Sequence, residues 1–341
     1  MAGRAKGVGL LSGGLDSILA VKVLQEQPID LLGLTFVTPF FGPSEGLAAG
    51  AMAGIETRAI DISEVHLEMV KKPRYGYGSK LNPCIDCHGL MLREAAKIME
   101  AEGADFLFTG EVLGQRPMSQ RRDSLRSVEK LSGLSGRILR PLSAKRLSPT
   151  RVEKEGLVDR SMLLGIYGRS RKPQMELALK YGLRGYPQPG GGCMLTNEGF
   201  SNRLRNLLDI NPGASVSEVE IIKWGRAFKL PGKTICMVGR NESENHRLEA
   251  LAGARDIVLR ASDHPGPTCV ILAGSEPRDL ETASSLLASY SAAPKGARVT
   301  VEFQEGGFER GGERPEISAP NPGRRNFSRG CFFRAARRYR S

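Results

Sequence analysis

The stretch VGLLSGGLDSILAVKVL at residues 8–24 constrains this chain more than any other. Val8, Leu10 and Leu11 form a short buried-strand pattern, and Ile18, Val21 and Leu24 recur at helical spacing. Between the two runs lie Ser12, Gly13, Gly14, Asp16 and Ser17. A loop at this point aims backbone N–H groups out of a helix N-terminus, where the helix dipole favours an anion. Gly13 and Gly14 permit close backbone approach, and Ser12 and Ser17 add hydroxyl donors. A lone Ser-Gly-Gly also suits an ordinary turn, and Ser or Asp often only caps a helix. The position between strand and helix favours a phosphate cradle. It is not the lysine-containing P-loop, because no Gly-Lys-[Ser/Thr] follows.

The chain then alternates strand and helix patterns. Residues 30–37 and 57–62 read as strands with a helix between them, residues 89–103 as a long helix, and 104–112 as a further strand. This alternation predicts an α/β domain with a doubly wound parallel sheet and a ligand at the strand C-termini. Its span is expected to be 1–204. Residues 205–307 carry short strand-like runs at 233–239, 256–261 and 268–274 and a helix near 280–291, which predicts a second, small α+β domain. From 308 to 341 there are nine arginines against three glutamates, half of the chain's net charge of +12. That tail is expected to be disordered, either as a solubilising appendage or as a grip on phosphate backbones.

Such a charge favours a polyanionic partner. With no run of apolar residues long enough to span a bilayer, nucleic acid is the expected partner rather than a membrane. The N-terminus lacks a signal-peptide pattern, so a cytoplasmic location is expected.

Six cysteines at irregular spacing read as chemistry or metal ligands rather than as disulfides. Cys84 and Cys87 form a Cys-x-x-Cys pair just before the long helix, and Cys193 follows a glycine run at 190–192. Three thiolates suit a [4Fe–4S] cluster with one iron open to a non-protein ligand. They suit equally a persulfide carrier with resolving thiols. A structural zinc site is the third reading, although it ordinarily takes four protein ligands and no second Cys-x-x-Cys exists. Cys236 and Cys269 lie in apolar strand runs and are expected to be packing residues.

The string Ser12-Gly13-Gly14-Leu15-Asp16-Ser17 resembles the pyrophosphate loop of the ATP pyrophosphatases, which split ATP between its α- and β-phosphates and adenylate a substrate. Asn82-Pro83 followed by Cys87, and the glycine run before Cys193, resemble the two cysteine segments of the tRNA 2-thiouridine synthases. Cys84 extends that pattern towards the three-cysteine iron–sulfur tRNA thiolases, and residues 109–120 are similar to a stretch of the tRNA 4-thiouridine synthases. The likeness covers roughly residues 7–200. It implies an ATP-dependent tRNA sulfurtransferase that uses Mg²⁺ and a sulfur donor and forms AMP and pyrophosphate. Under it Ser12, Gly13, Gly14, Asp16, Ser17, Phe36 and Gly110 bind nucleotide, Asp16, Cys87 and Cys193 are catalytic, and Cys84, Cys87 and Cys193 hold the cluster. Apart from the resemblance, Gln115, Arg116 and Gln120 could line the site of the target base or equally just satisfy loop backbone groups, and Arg169, Arg171 and Lys172 could clamp phosphates of RNA or nucleotide or form a solvated basic loop.

Residues 237–272 are similar to the RNA-binding domain of the NFACT proteins of ribosome quality control, through Gly239, Arg240, Asn241, Asn245, Asp256, Pro265 and Gly266. The resemblance implies RNA contacts by Arg240, Asn241, Asn245 and Arg260. It would supply the RNA grip for which the few residues before the loop leave no room. Two rival readings stay open: a ligase of the same superfamily adenylating a small molecule, and a non-catalytic RNA-binding protein of translation quality control.

Overall fold

A computed structural model describes residues 4–186, 192–273, 276–306 and 315–323. The chain divides into two compact units, Met1–Thr196 and Asn197–Ser341. In the first, the elements run β1 (Ala5–Leu10), α1 (Leu15–Gln25), β2 (Ile29–Val37), α2 (Ser44–Ala53), β3 (Thr57–Asp61), α3 (Ser63–Lys71), α4 (Cys84–Ala101), β4 (Phe106–Thr109), α5 (Arg122–Ser132), β5 (Ile138–Leu139), α6 (Arg151–Lys154) and α7 (Lys172–Lys180). The strands form one sheet in the order β3-β2-β1-β4-β5, and every pairing in it is parallel.

Strand alternation divides the core into two faces. Phe106 and Phe108 pack with Leu15, Ile18 and Leu19 of α1 and with Ala178 of α7. Val8, Leu34 and Leu107 point the other way, against Leu92, Ala95 and Met99 of α4. The order of the strands reverses on either side of β1, and Leu10 pairs with both Leu34 and Thr109, so the C-terminal ends of β1, β2 and β4 open onto one crevice. In doubly wound sheets such a reversal is where ligands sit.

The structure corrects two readings of this unit. The helix expected from residue 89 begins at Cys84, so both cysteines of the Cys-x-x-Cys lie in the first turn of α4. Phe36 is not open to a ligand: its side chain is buried among Leu34, Val8 and Leu107 on the α4 face. Residues 34 and 36 share one face of the pleat, and that face belongs to the core.

The second unit contains α8 (Glu198–Ile210), α9 (Val216–Ile221), β6 (Arg226–Lys229), β7 (Ile235–Val238), α10 (Glu242–Leu251), β8 (Ile257–Ala261), β9 (Cys269–Ile271), α11 (Pro277–Tyr290), β10 (Arg298–Glu305) and β11 (Glu316–Pro320). Its strands form a sheet in the order β11-β10-β8-β9-β7-β6. All its pairings are antiparallel. Cys236 and Cys269 are fully buried in its core, packed with Leu286 and Leu287 of α11. β11 corrects the expectation for the tail: Glu316–Pro320 pairs with β10, and Ala319 joins the core. The rest of the tail, 307–314 and 324–341, lies outside the described residues. No helix among the described residues is long and apolar enough to cross a membrane.

Candidate active site

The loop between β1 and α1 is anchored by the Leu11 N–H, which donates to the Leu34 carbonyl at 2.8 Å. Gly13 adopts φ +84°, and a Cβ at this residue would meet Glu45 Cβ at 2.4 Å. Only glycine fits there, because both the left-handed backbone and the approach of α2 exclude a side chain. Gly14 caps α1 and offers no side-chain acceptor, so the first-turn N–H groups stay directed out of the helix end. Ser12 is exposed beside them. Ser17 departs from the expected role: it is buried, and its hydroxyl donates to the Gly14 carbonyl at 2.7 Å, which braces the loop from within. Gly110, just past β4, lies against the same turn; a Cβ on it would sit 2.5 Å from the Asp16 carbonyl carbon.

Asp16 stands at the inner edge of this cradle. Its Oδ2 accepts from Gln115 Nε2 at 2.7 Å, while its Oδ1 is buried with no hydrogen-bond partner. Burial raises its pKa, against the opposing pull of Gln115, Arg171, Arg116 and Gln174. A buried carboxylate oxygen left without a donor fits a bound cation or water. Mg²⁺ fits this chemistry.

Cys193 reaches the same place from the far end of the unit. The Met194 N–H donates to the Phe40 carbonyl at 3.0 Å, tying the segment to the loop after β2. A Cβ on Gly192 would lie 3.3 Å from Glu45 Oε2. Glu45 therefore touches both Gly13 of the phosphate loop and the segment that carries Cys193. The glycines at 190 and 191 lie outside the described residues.

The thiols influence one another. Burial pushes the Cys87 thiol well above its ordinary value, and the charges of Cys193, Cys84 and Asp86 add to the shift. Cys193 is pushed up to about 11 by burial and by Cys84, against the backbone donors of Leu195 and Thr196. Cys84 Sγ accepts from Asn82 Nδ2 at 3.2 Å.

Cys87 Sγ lies 3.1 Å from His66 Nε2, a partner that sequence reading missed. His66 is fully buried between Phe40 and Phe41, and burial lowers its pKa to about 4. Its one sequence signal is a histidine on the inward face of a short amphipathic helix. His88 Nδ1 lies 2.9 Å from Glu111 Oε1, and Arg140 Nε donates to Glu111 Oε2 at 3.0 Å, so a buried ion network closes the floor beneath β4.

Among the described residues no group of three or more His, Cys, Asp or Glu side chains is arranged to hold a metal ion. The soft donors for an iron–sulfur cluster are near one another, but the two thiols of α4 are engaged with His66 and Asn82. Among the described residues the three thiols are not in the arrangement of a three-thiolate cluster.

Residues 225–313 match the NFACT protein RNA binding domain. A tRNA-specific 2-thiouridylase of Nitratidesulfovibrio vulgaris is 34% identical over 122 residues, 31% of this chain and 34% of the relative. A probable tRNA sulfurtransferase of Thermotoga maritima is 29% identical over 183 residues, 50% of this chain and 43% of the relative. The chain is similar to tRNA thiolases. It spans between about a third and less than half of these relatives' length. Among solved structures, a 4-thiouridine synthetase–RNA complex with bound ATP aligns at 27% identity and a TM-score of 0.34, covering 49% of this chain and 44% of that one.

In the NFACT-like unit, the residues expected to contact RNA are bound into the fold. Asn241 caps α10, its Oδ1 accepting from the Glu244 N–H at 3.0 Å. Asn245 Oδ1 accepts from the Thr268 N–H at 3.1 Å. Arg240 pairs with Glu244, and Arg260 Nε donates to Glu249 Oε1 at 2.7 Å. Both arginine side chains nevertheless keep over two-fifths of their surface exposed, at 48% and 41%, enough for a phosphate to reach them. The two asparagines read as structural.

Proposed function

We propose that the protein is an ATP-dependent tRNA thiolase. The observation that carries this reading is the approach of Glu45 to both Gly13 and Gly192, which ties the segment bearing Cys193 to the phosphate loop before α1. ATP lies with its phosphates on Ser12–Ser17, and the N-terminal N–H groups of α1 stabilise the charge that develops on them. Asp16 would hold Mg²⁺, which when bound would supply charge neutralisation to the departing pyrophosphate. A carbonyl oxygen of a tRNA base, uridine by preference, attacks the α-phosphorus. The bond between that phosphorus and the bridging oxygen to the β-phosphate breaks, and pyrophosphate leaves.

The base oxygen then leaves as AMP when sulfur attacks the activated ring carbon. In the relay favoured by the electrostatic influence of Cys193 on Cys87, one of the pair carries a persulfide supplied by an external sulfur donor. Its terminal sulfur forms the new C–S bond and AMP departs. The second thiol attacks the inner sulfur, freeing the thiolated base and leaving a Cys87–Cys193 disulfide. A dithiol reductant of the cell restores both thiols. Of the pair, Cys87 faces the His66 ring nitrogen, which orients its sulfur; the burial that keeps this imidazole neutral makes it a positioning partner rather than a base.

The test is to incubate the full chain with ATP, tRNA and a persulfide donor, and to follow AMP by chromatography and thionucleoside by mass spectrometry. Asp16→Ala is expected to lower AMP formation by at least about a hundredfold, in line with the loss of metal-assisted charge stabilisation. Cys87→Ser and Cys193→Ser should still form AMP yet make no thionucleoside, because activation uses the loop and sulfur transfer uses the thiols. AMP formation that ignores tRNA would overturn the reading in favour of a small-molecule ligase. Iron analysis of protein prepared anaerobically separates the relay from a cluster: about four irons per chain is the content of a [4Fe–4S] centre.

A further inference from the structure

Three buried polar atoms without hydrogen-bond partners border the cradle: Asp16 Oδ1, Gln174 Oε1 and Arg171 Nε. Buried polar groups are almost always satisfied, and three such atoms on residues clustered around Asp16 favour a polar ligand there. Two of the atoms are acceptors and one is a donor of a cationic group. The acceptors suit a cation or its hydration water, and the guanidinium suits an anion. A metal-bound polyphosphate presents both.

The connections among these groups are directional. Gln174 is fully buried, and its Nε2 donates to Gln115 Oε1 at 3.0 Å. Gln115 Nε2 in turn donates to Asp16 Oδ2 at 2.7 Å. This chain uses up one carboxylate oxygen and leaves the other turned to the cradle. Gln174 belongs to α7, which packs against α1 through Ala178 in the core, so the relay is fixed by the body of the fold. Arg171, the residue preceding α7, lies close enough to act electrostatically on Asp16. Its carbonyl accepts from the Met175 N–H at 2.9 Å, which fixes the backbone from which the side chain departs.

We propose that Arg171 and the Gln174–Gln115 pair form the leaving-group wall of the nucleotide site. Arg171 grips the pyrophosphate, and the two glutamines hold Asp16 so that its open oxygen faces the metal carried by that pyrophosphate. The ligand class is a divalent-metal pyrophosphate, or the β,γ end of a nucleoside triphosphate. Gln115 and Gln174 act through Asp16 and are positioning residues. This assignment rests on reading the loop as an ATP site, but not on the identity of the acceptor or the sulfur chemistry.

The experiment measures binding of Mg²⁺–pyrophosphate and of AMP to the full chain by titration calorimetry, with no RNA or sulfur donor present. Arg171→Met is expected to weaken Mg²⁺–pyrophosphate about tenfold to a hundredfold, the worth of a charge-assisted hydrogen bond, and to leave AMP unchanged. Arg171→Lys should recover part of the loss, since it restores charge without the planar fork. Gln115→Met should raise the Mg²⁺ concentration needed for half-maximal pyrophosphate binding by about tenfold, while binding of metal-free pyrophosphate stays as in the wild type. Gln174→Leu should do the same, and Gln115→Met carries the point if the buried variant does not fold. Equal losses for AMP and pyrophosphate, or no loss in Arg171→Met, would overturn the assignment. A wild-type protein that binds neither ligand would instead overturn the nucleotide reading itself, and the wall with it.

Discussion

At the scale of single residues, burial sets the chemistry of the thiols. A Cys193 thiol with a pKa of about 11 is almost wholly protonated at neutral pH. Its alkylation by iodoacetamide, read by mass spectrometry of the labelled peptide, should therefore rise about tenfold per pH unit from pH 7 to pH 10. A rate already flat from pH 7 upward would show a thiolate that the burial does not allow. Glu111 behaves in the opposite sense. Burial opposes its charge, but Arg140 and His88 overcome that cost and hold the carboxyl at about 2. A carboxyl depressed in the folded state contributes stability above its unfolded value and loses it as pH falls through the folded one. The contribution, on the order of 3 kcal/mol, should thus fade between about pH 4.5 and pH 2, and Glu111→Gln should flatten that limb of an acid-unfolding curve. None of this was legible from the residues alone. The stretch from Ser12 to Ser17 announces a loop, but the use of Ser17's hydroxyl as an internal brace depends on where α1 turns. His66 carries no motif, because its partner lies in another element.

At the scale of elements, the caps explain what the NFACT-like residues do. Asn241 satisfies the first turn of α10, so Asn241→Ala should cost about 1 kcal/mol of stability in thermal unfolding. Arg240 and Arg260 differ from it because their heads remain partly in solvent. The double variant Arg240→Ala/Arg260→Ala is expected to lower the log–log salt slope of tRNA binding by between about one and two, measured by filter binding from 50 to 300 mM salt. An unchanged slope would assign both arginines to their glutamate partners alone. The sheet of the first unit was readable because β2 and β4 are largely continuous apolar runs. α3 and α5 were not, although both are amphipathic: α5 buries only Leu125, Val128 and two serines, so its periodicity rests on two apolar residues in an otherwise polar stretch. Placing the Cys-x-x-Cys before α4 rather than inside it followed from the same cause: Pro83 and Cys84 look like a loop until the Cys87 N–H is seen donating to the Pro83 carbonyl at 2.9 Å.

At the scale of the whole molecule, composition pointed to a polyanionic partner and the alternation of elements to an α/β sheet first, but neither fixes where one unit ends. The break falls at Thr196–Asn197, where Asn197 caps α8 by accepting from the Phe200 N–H at 3.0 Å. The strand at Glu316–Pro320 was hidden in a stretch whose charge and proline content read as disorder; it is held by pairing with β10, a contact distant in sequence. Glu45, which approaches both Gly13 and Gly192, offers the first unit a route for reciprocal coupling. Whatever free energy nucleotide binding transmits through that carboxylate to Cys193, a modification of Cys193 must transmit back to the nucleotide in equal measure. If ATP slows the labelling of Cys193, then protein labelled beforehand should bind ATP more weakly, and Glu45→Ala should uncouple the two. The sulfur-bearing segment would then serve as an indicator of whether the phosphate loop is filled, so that sulfur is exposed in step with the activation it completes.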